Sequence, residues 1–253
     1  MGFGLPTATK AYSPTLQLPM RVLELPVMKH SLYVVALVCV STVATYASDV
    51  HGTITLDSRM AKKTAPPPVY DVRGMAMHDR SPTMARARGA GRFGRIAVWL
   101  EGGPVATPTS STMRQSDRHF EPDLLIISPG SRVEFPNLDP VFHNIFSLSK
   151  AQSFDLGYYA QGKSRDVVFS KPGIVQVYCH VHPDMYGVIV VTGSGWTARP
   201  AENGTFTFTD VPPGRYRVVV WQRTTGLVHK TISIPASGTV DVSFRLPDDE
   251  AEQ

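Results

Sequence analysis

Between Ile174 and Val191 the chain reads IVQVYCHVHPDMYGVIVV, which sets one thiol, two imidazoles and a thioether, those of Cys179, His180, His182 and Met185, within residues 179–185. A trigonal set of two imidazoles and a thiolate, with a distant axial thioether, is tolerated by both Cu(I) and Cu(II) and moves electrons with little rearrangement. Cys179, His182 and Met185 supply three of those four donors. On a straight strand Cys179 and His182 would point to opposite faces. The segment therefore predicts two strands rich in Val and Ile, joined by a loop that curls around one ion. The missing imidazole must come from elsewhere. The best candidate is His143 in FPNLDPVFHNIFSLS, set among Phe142 and Ile145 just after a turn-rich NLDP. Asn144, beside it, is a candidate to tie the ligand loops together by side-chain hydrogen bonds. Zinc is the second metal to consider, but structural zinc seldom uses Met and normally takes more thiolates.

The elements around these residues read as strands. GRIAVWLEG puts Ile96, Val98 and Leu100 on one face, and PDLLIIS, SRVEFPN, FHNIFSLS, RDVVFS, GIVQVYC and YGVIVVT follow, each broken by Gly, Pro, Asn or Asp. That spacing predicts an all-β sandwich or barrel. Pro172-Gly173 in SKPG predicts a type II turn joining RDVVF and IVQVYC as a hairpin. A second, smaller β-sandwich is predicted from GTFTFTDVPPGRYRVVVWQ, HKTISI and TVDVSF, with Phe208, Tyr216 and Trp221 filling its interior. The organisation expected is an upstream extension and signal peptide over 1–47, one strand and a long excursion over 48–92, the metal-binding sandwich over 93–193, the second sandwich over 194–246 and an acidic tail over 247–253.

Of 253 residues 42% are hydrophobic and 18% charged, which fits a folded protein rather than a disordered one. Met28-Lys29-His30 precedes the apolar run SLYVVALVCVSTVATYA, and the pattern predicts a signal peptide cut after Ala47, with the true start at Met28 or Met20. The mature chain is then expected to be periplasmic or secreted, without an integral membrane span. Cleavage would remove Lys10, Arg21 and Lys29 against Glu24 alone, so the formal charge of +4 falls further. Nucleic acid is excluded as a partner, since phosphate binding needs a dense basic stripe. Cleavage would also remove Cys39 and leave Cys179 as the single thiol, which cannot form an internal disulfide and which a bound metal would protect from oxidation. His51, His78, His119 and His229 have no ligand partners near them in sequence and are read as surface residues, and Met75, Met77, Met84 and Met113 as parts of a flexible surface excursion. No GxGxxG, P-loop, GxSxG or HExxH pattern occurs.

On HN at 143–144 and YCHVHPDMYGVIVV from Tyr178, the stretch from Gly94 to Thr192 resembles the cupredoxins, the blue-copper proteins of Greek-key β-sandwich fold. The two-residue spacings in Cys-x-x-His-x-x-Met look most like amicyanin. The resemblance implies a single type 1 copper ion held by His143, Cys179, His182 and Met185, with His180 at a non-ligand position. It also implies an electron exit at the edge of His182 through an apolar patch that Pro183 and Tyr186 help to form, and a second route by Tyr178. NGTFTFTDVPPGRYRVVVW resembles the carboxypeptidase regulatory-like domains, a transthyretin-like sandwich that would act here as an accessory or docking module.

The function expected is an exported one-electron carrier, not an enzyme, whose redox partner protein is unknown. The alternatives are a non-redox copper-binding or copper-carrying protein, and a binding module that has kept a degenerate copper site. An oxidase or reductase would need a second copper with an open position, and outside HVH the mature sequence offers no second HxH pair to build one.

Overall fold

Alternation of apolar and polar residues decides which side of each strand faces inward, and in the segment from Ser48 to Asp57 (β1) it buries Val50 and Ile54 while His51, Thr53 and Thr55 face solvent. The computed structural model describes residue 1 and residues 47–60 and 91–248. The expected signal peptide, most of the excursion after β1 and most of the acidic tail lie outside the described residues. Among the described residues every regular element is a strand, and no helix is long and apolar enough to cross a membrane.

After β1 come β2 (Ala97–Glu101), β3 (Ser110–Thr112), β4 (Arg114–Ser116), β5 (His119–Glu121), β6 (Leu124–Ile127), β7 (Ser131–Pro136), β8 (His143–Leu148) and β9 (Ser153–Tyr159). They are followed by β10 (Ser164–Phe169), β11 (Gly173–Tyr178), β12 (Tyr186–Val191), β13 (Thr197–Ala198), β14 (Thr205–Val211), β15 (Gly214–Gln222), β16 (Gly226–Ile234) and β17 (Gly238–Pro247). Four sheets, ordered β14-β1-β17, β13-β2-β15-β16, β6-β12-β11-β8-β9 and β10-β7-β3, bury three apolar cores between them. The five-stranded sheet and β10-β7-β3 enclose the core that contains Phe135, Ile145, Phe169, Val177, Cys179 and Met185. The other two sheets enclose Val50, Val98, Leu100, Phe208, Val220 and Phe244.

Several sequence expectations are corrected by these pairings. The strand with Val98 and Leu100 pairs with β15, so it belongs to the second sandwich rather than to the sheet that carries Cys179. The strand β1 joins it there, antiparallel to β14 and parallel to β17. The second sandwich is thus built from both ends of the described chain, and β3 to β12 are inserted between its β2 and β13. A segment of some fifty residues has little apolar area to bury, and the two upstream strands complete its core. The expected hairpin at Pro172-Gly173 is absent: β10 pairs with β7 whereas β11 pairs with β12 and β8, so the turn carries the chain from one sheet to the other. SFDLGYY forms β9, a strand absent from the expected set. Met113 is fully buried in the core beside Cys179, against the expectation of a surface position. The absence of a side chain at Gly187 makes room for it, since a methyl there would come within 3.2 Å of its Sδ.

The strand β12 and the second half of β15, from Val218, are buried on both faces. Ile189 and Val191 turn towards Phe135 and Ile145, whereas Tyr186, Val188 and Val190 meet Trp99, Val219 and Trp221 in the third core. Trp221 is therefore buried as expected, but on the face of β15 opposite Val218 and Val220.

The close approach of β1 to β14 gives a direct test. A methyl group at Gly52 would lie 1.9 Å from the Phe206 ring. Gly52→Ala is expected to destabilise the protein by about 1–3 kcal/mol, the usual cost of overpacking, and Phe206→Leu made in that background to recover part of the loss. Denaturant unfolding of the two variants reads this directly, and a neutral Gly52→Ala would contradict the packing of β1 on Phe206.

Candidate metal centre

Cross-strand pairing of Tyr178 with Tyr186 is the last rung of the β11–β12 ladder, and beyond it residues 179–185 form the curled loop. Cys179 follows β11 directly and Met185 precedes β12. The backbone N–H of Met185 donates to the carbonyl of His182 at 3.0 Å, which closes the loop on itself. His143 opens β8, a neighbour of β11 in the same sheet, so it meets the loop from the adjacent strand.

These elements bring three donor atoms together. Nδ1 of His143 lies 3.6 Å from Sγ of Cys179, Nδ1 of His182 lies 3.9 Å from the same sulfur, and the two nitrogens are 3.1 Å apart. Among the described residues this is the one group of His, Cys, Asp and Glu side chains placed to hold a metal ion. Nitrogen and sulfur donors about 2.0–2.3 Å from a single ion lie on the order of 3–4 Å from each other, and the observed separations fall there. His143 is fully buried, Cys179 and Met185 nearly so, and His182 is half-buried. Burial, with the neighbouring His143 and Arg118, holds His182 below the usual imidazole value. It is therefore neutral near pH 7 and keeps a lone pair to offer. Met185 packs in the same apolar core as Cys179, on the interior side of the loop.

His180 is separate from the group. Its ring stacks on Phe146 at 3.8 Å and 6°, and its Nε2 lies 3.7 Å from Oδ2 of Asp155. Asn144 works differently from the expectation. Its amide donates to Oδ1 of Asp155 at 2.6 Å, and that oxygen also accepts from the backbone N–H of Gly157 at 2.8 Å. Asp155 on β9 is thus the link between Asn144 and the loop, through His180. Tyr186 is 5% exposed and is no part of a surface patch, whereas Pro183, Val181 and Phe142 are exposed beside the two histidines. His51 and His229 are exposed as expected, while His119 is half-buried with Nδ1 2.6 Å from the carbonyl oxygen of Asp117. His78, Met75, Met77 and Met84 lie outside the described residues.

Asp139 was missed by the sequence reading although it stands four residues before His143, inside the turn-rich NLDP. Its Oδ2 lies 2.8 Å from Nε2 of His143. Burial alone would raise its carboxyl, but hydrogen bonds from the Arg118 N–H, from His143 and from the Asp117 N–H outweigh that and hold it below the usual carboxylate range. Behind it Asn137 is wholly buried, with its amide donating to the carbonyls of Val141 and Tyr159.

The sequence matches no protein-family profile and no curated protein. Solved structures similar to part of the chain are cupredoxins and a copper enzyme. The Cu-containing nitrite reductase from Thermus scotoductus SA-01 is 26% identical over 36% of this chain and 24% of its own, with a TM-score of 0.32. A purple cupredoxin from Nitrosopumilus maritimus is 26% identical over 32% of this chain and 99% of its own, with a TM-score of 0.30. A variant of amicyanin in its reduced state is 20% identical over 33% and 82%, with a TM-score of 0.31. The chain thus spans about a quarter of the length of the nitrite reductase and most of the two smaller proteins.

Asp155 yields a pH prediction. The N–H of Gly157 is the largest influence on it; burial opposes, and Asn144 and His180 add to the lowering of its carboxyl. A depressed carboxyl contributes stability above its unfolded value of about 3.9 and loses it as pH falls through the lower folded value. The difference in thermal midpoint between wild type and Asp155→Ala is therefore expected to be full at pH 6 and to shrink below pH 4. A difference independent of pH would show that the carboxylate charge is not what Asn144 and Gly157 bind.

Proposed function

We propose that the chain is an exported mononuclear type 1 copper protein that carries single electrons and breaks no substrate bond. The observation that carries the reading is the convergence of Sγ of Cys179 with Nδ1 of His143 and Nδ1 of His182, the first two side chains buried and the third half-buried, donors that suit both oxidation states of copper. Met185, buried beside Cys179, would supply a thioether as the fourth donor. When bound, copper supplies a one-electron couple.

The residues of the chain do the rest. Sheet hydrogen bonding from β8 and β11 fixes two donors on rigid elements, and the Met185–His182 contact fixes the loop that carries the third. A donor set held in nearly one geometry for both oxidation states lowers the reorganisation needed at each transfer. Apolar neighbours such as Val177 and Ile145 keep water from the sulfur. His182, half-buried with Pro183 and Val181 exposed beside it, is the edge through which an electron leaves to a redox protein. In this reading the second sandwich is a docking module of the carboxypeptidase regulatory-like type.

Residues 48–253 loaded with Cu(II) are expected to show an intense visible sulfur-to-copper band and narrow copper hyperfine splitting, both lost in Cys179→Ser, and to cycle reversibly between the two oxidation states. A colourless wild type would end the copper-carrier reading in favour of a binding module, and a coloured protein that does not cycle would favour copper storage or delivery. Export rests on the apolar run after Lys29. N-terminal sequencing of protein recovered outside the cytoplasm is expected to begin at Ser48, and recovery of uncut protein from the cytoplasm alone would overturn it.

A further inference from the structure

We propose that Asp139 is a positioning residue for the metal, whose carboxylate fixes His143 with its proton on Nε2, aims Nδ1 at Cys179 and biases the bound copper towards the oxidised state. The inference rests on the copper reading above and assigns the centre a control that the ligands themselves do not supply.

The contact is direct, with Oδ2 of Asp139 2.8 Å from Nε2 of His143. Both side chains are sheltered, at 10% and 0% exposure, so water does not compete for the bond. A carboxylate accepts and never donates when ionised, which leaves Nε2 as the protonated nitrogen and Nδ1 with the free lone pair. That is the nitrogen 3.6 Å from Sγ of Cys179. The carboxylate is itself anchored and has little freedom to turn away. Its Oδ1 accepts the backbone N–H of Asp117 at 2.7 Å and its Oδ2 that of Arg118 at 2.9 Å, and its own N–H donates to Oδ1 of Asn137 at 2.9 Å. Asp117 and Arg118 both take left-handed backbone angles, φ 53° and 59°, so the short turn between β4 and β5 is bent into the shape that aims its N–H groups at the carboxylate.

A neutral acceptor on Nε2 would orient the ring equally well. A carboxylate adds a negative charge one imidazole away from the metal, makes the ring a stronger donor and stabilises Cu(II) more than Cu(I). No proton needs to move when one electron from a small iron or ruthenium complex reduces the ion, so the effect falls on the equilibrium between the two states.

Asp139→Asn removes the charge at nearly constant volume. It is expected to shift the ratio of Cu(II) to Cu(I) affinity by about tenfold towards Cu(I), which for a one-electron couple is about 59 mV upward in potential, with the visible band retained. An unchanged potential in a folded, coloured Asp139→Asn protein would overturn the proposal and leave Asp139 as a cap for the 117–118 turn. The second measurement needs neither variant nor copper. In nitrogen-15-labelled, metal-free protein the Nε2 proton of His143 is expected as a downfield, slowly exchanging resonance, and finding Nε2 without a proton would overturn the orientation even if Asp139→Asn does not fold. Failure of the copper reading would show separately, as a wild type with no visible band.

Discussion

Three donor atoms with lone pairs, buried within 4.8 Å of one another, form the constraint on which the site half of the molecule depends. Removing polar groups from water without firm partners costs on the order of 1–3 kcal/mol each by mutational measures, and these three atoms lie closest to one another. The fold holds these groups together by geometry. The strands β8 and β11 lie side by side in the five-stranded sheet, so His143 and Cys179 are fixed by the same ladder that buries Ile145 and Val177. The sheet would have to come apart before His143 and Cys179 could separate.

The second sandwich reinforces that ladder from behind. Because β12 is buried on both faces, the segment that leaves the ligand loop packs at once against Phe135 and Ile145 on one side and against Trp99 and Trp221 on the other. Tyr186, the first residue of β12, is gripped by the Tyr178 ring at 5.4 Å and by the Arg223 guanidinium at 4.2 Å over its face. A cation over an aromatic ring contributes on the order of 0.5–2 kcal/mol, modest alone, but here it ties the end of the loop to the β15–β16 hairpin of the second sandwich. The insertion of β3 to β12 between β2 and β13 explains how this comes about, since both entry and exit of the site-bearing unit run through the same host sandwich.

Legibility in the sequence followed the range of the interactions. Cys179, His182 and Met185 share a loop, so their spacing alone marked them as candidates, and His143 could be picked out because an imidazole in an apolar strand asks for a reason; the structure groups His143, Cys179 and His182. The alternating segments gave most of the strands. Pairing was another matter, since nothing local in IAVWLE says that it lies beside RVVVW, more than one hundred residues later, rather than beside its sequence neighbours. Pro172-Gly173 was a good turn that proved to connect two sheets, because turn chemistry fixes a change of direction and leaves open which strands become partners. Met113 misled for a similar reason: its burial depends on Gly187, far along the chain. Asp155 and Asp139 were invisible as partners because each acts through tertiary hydrogen bonds, although Asp139 lay in plain view four residues from the histidine that it contacts.

The two missed aspartates stand in different relations to the donors, and the difference follows from what each oxygen accepts. Asp155 is more than half exposed, takes its bonds from Asn144 and Gly157, and meets only the ring of His180, which faces Phe146 instead of the sulfur. Its charge is screened by water and its role is to hold a bulged stretch of β8 and β9 in register. Asp139 is sheltered, accepts from two consecutive backbone N–H groups, and spends its remaining capacity on a ring whose other nitrogen points at Cys179. Sheltered from solvent, its charge is screened less than the one on Asp155. The two carboxylates therefore differ in what they hold, Asp155 the shape of the sheet edge and Asp139 the orientation of the ring that faces the sulfur.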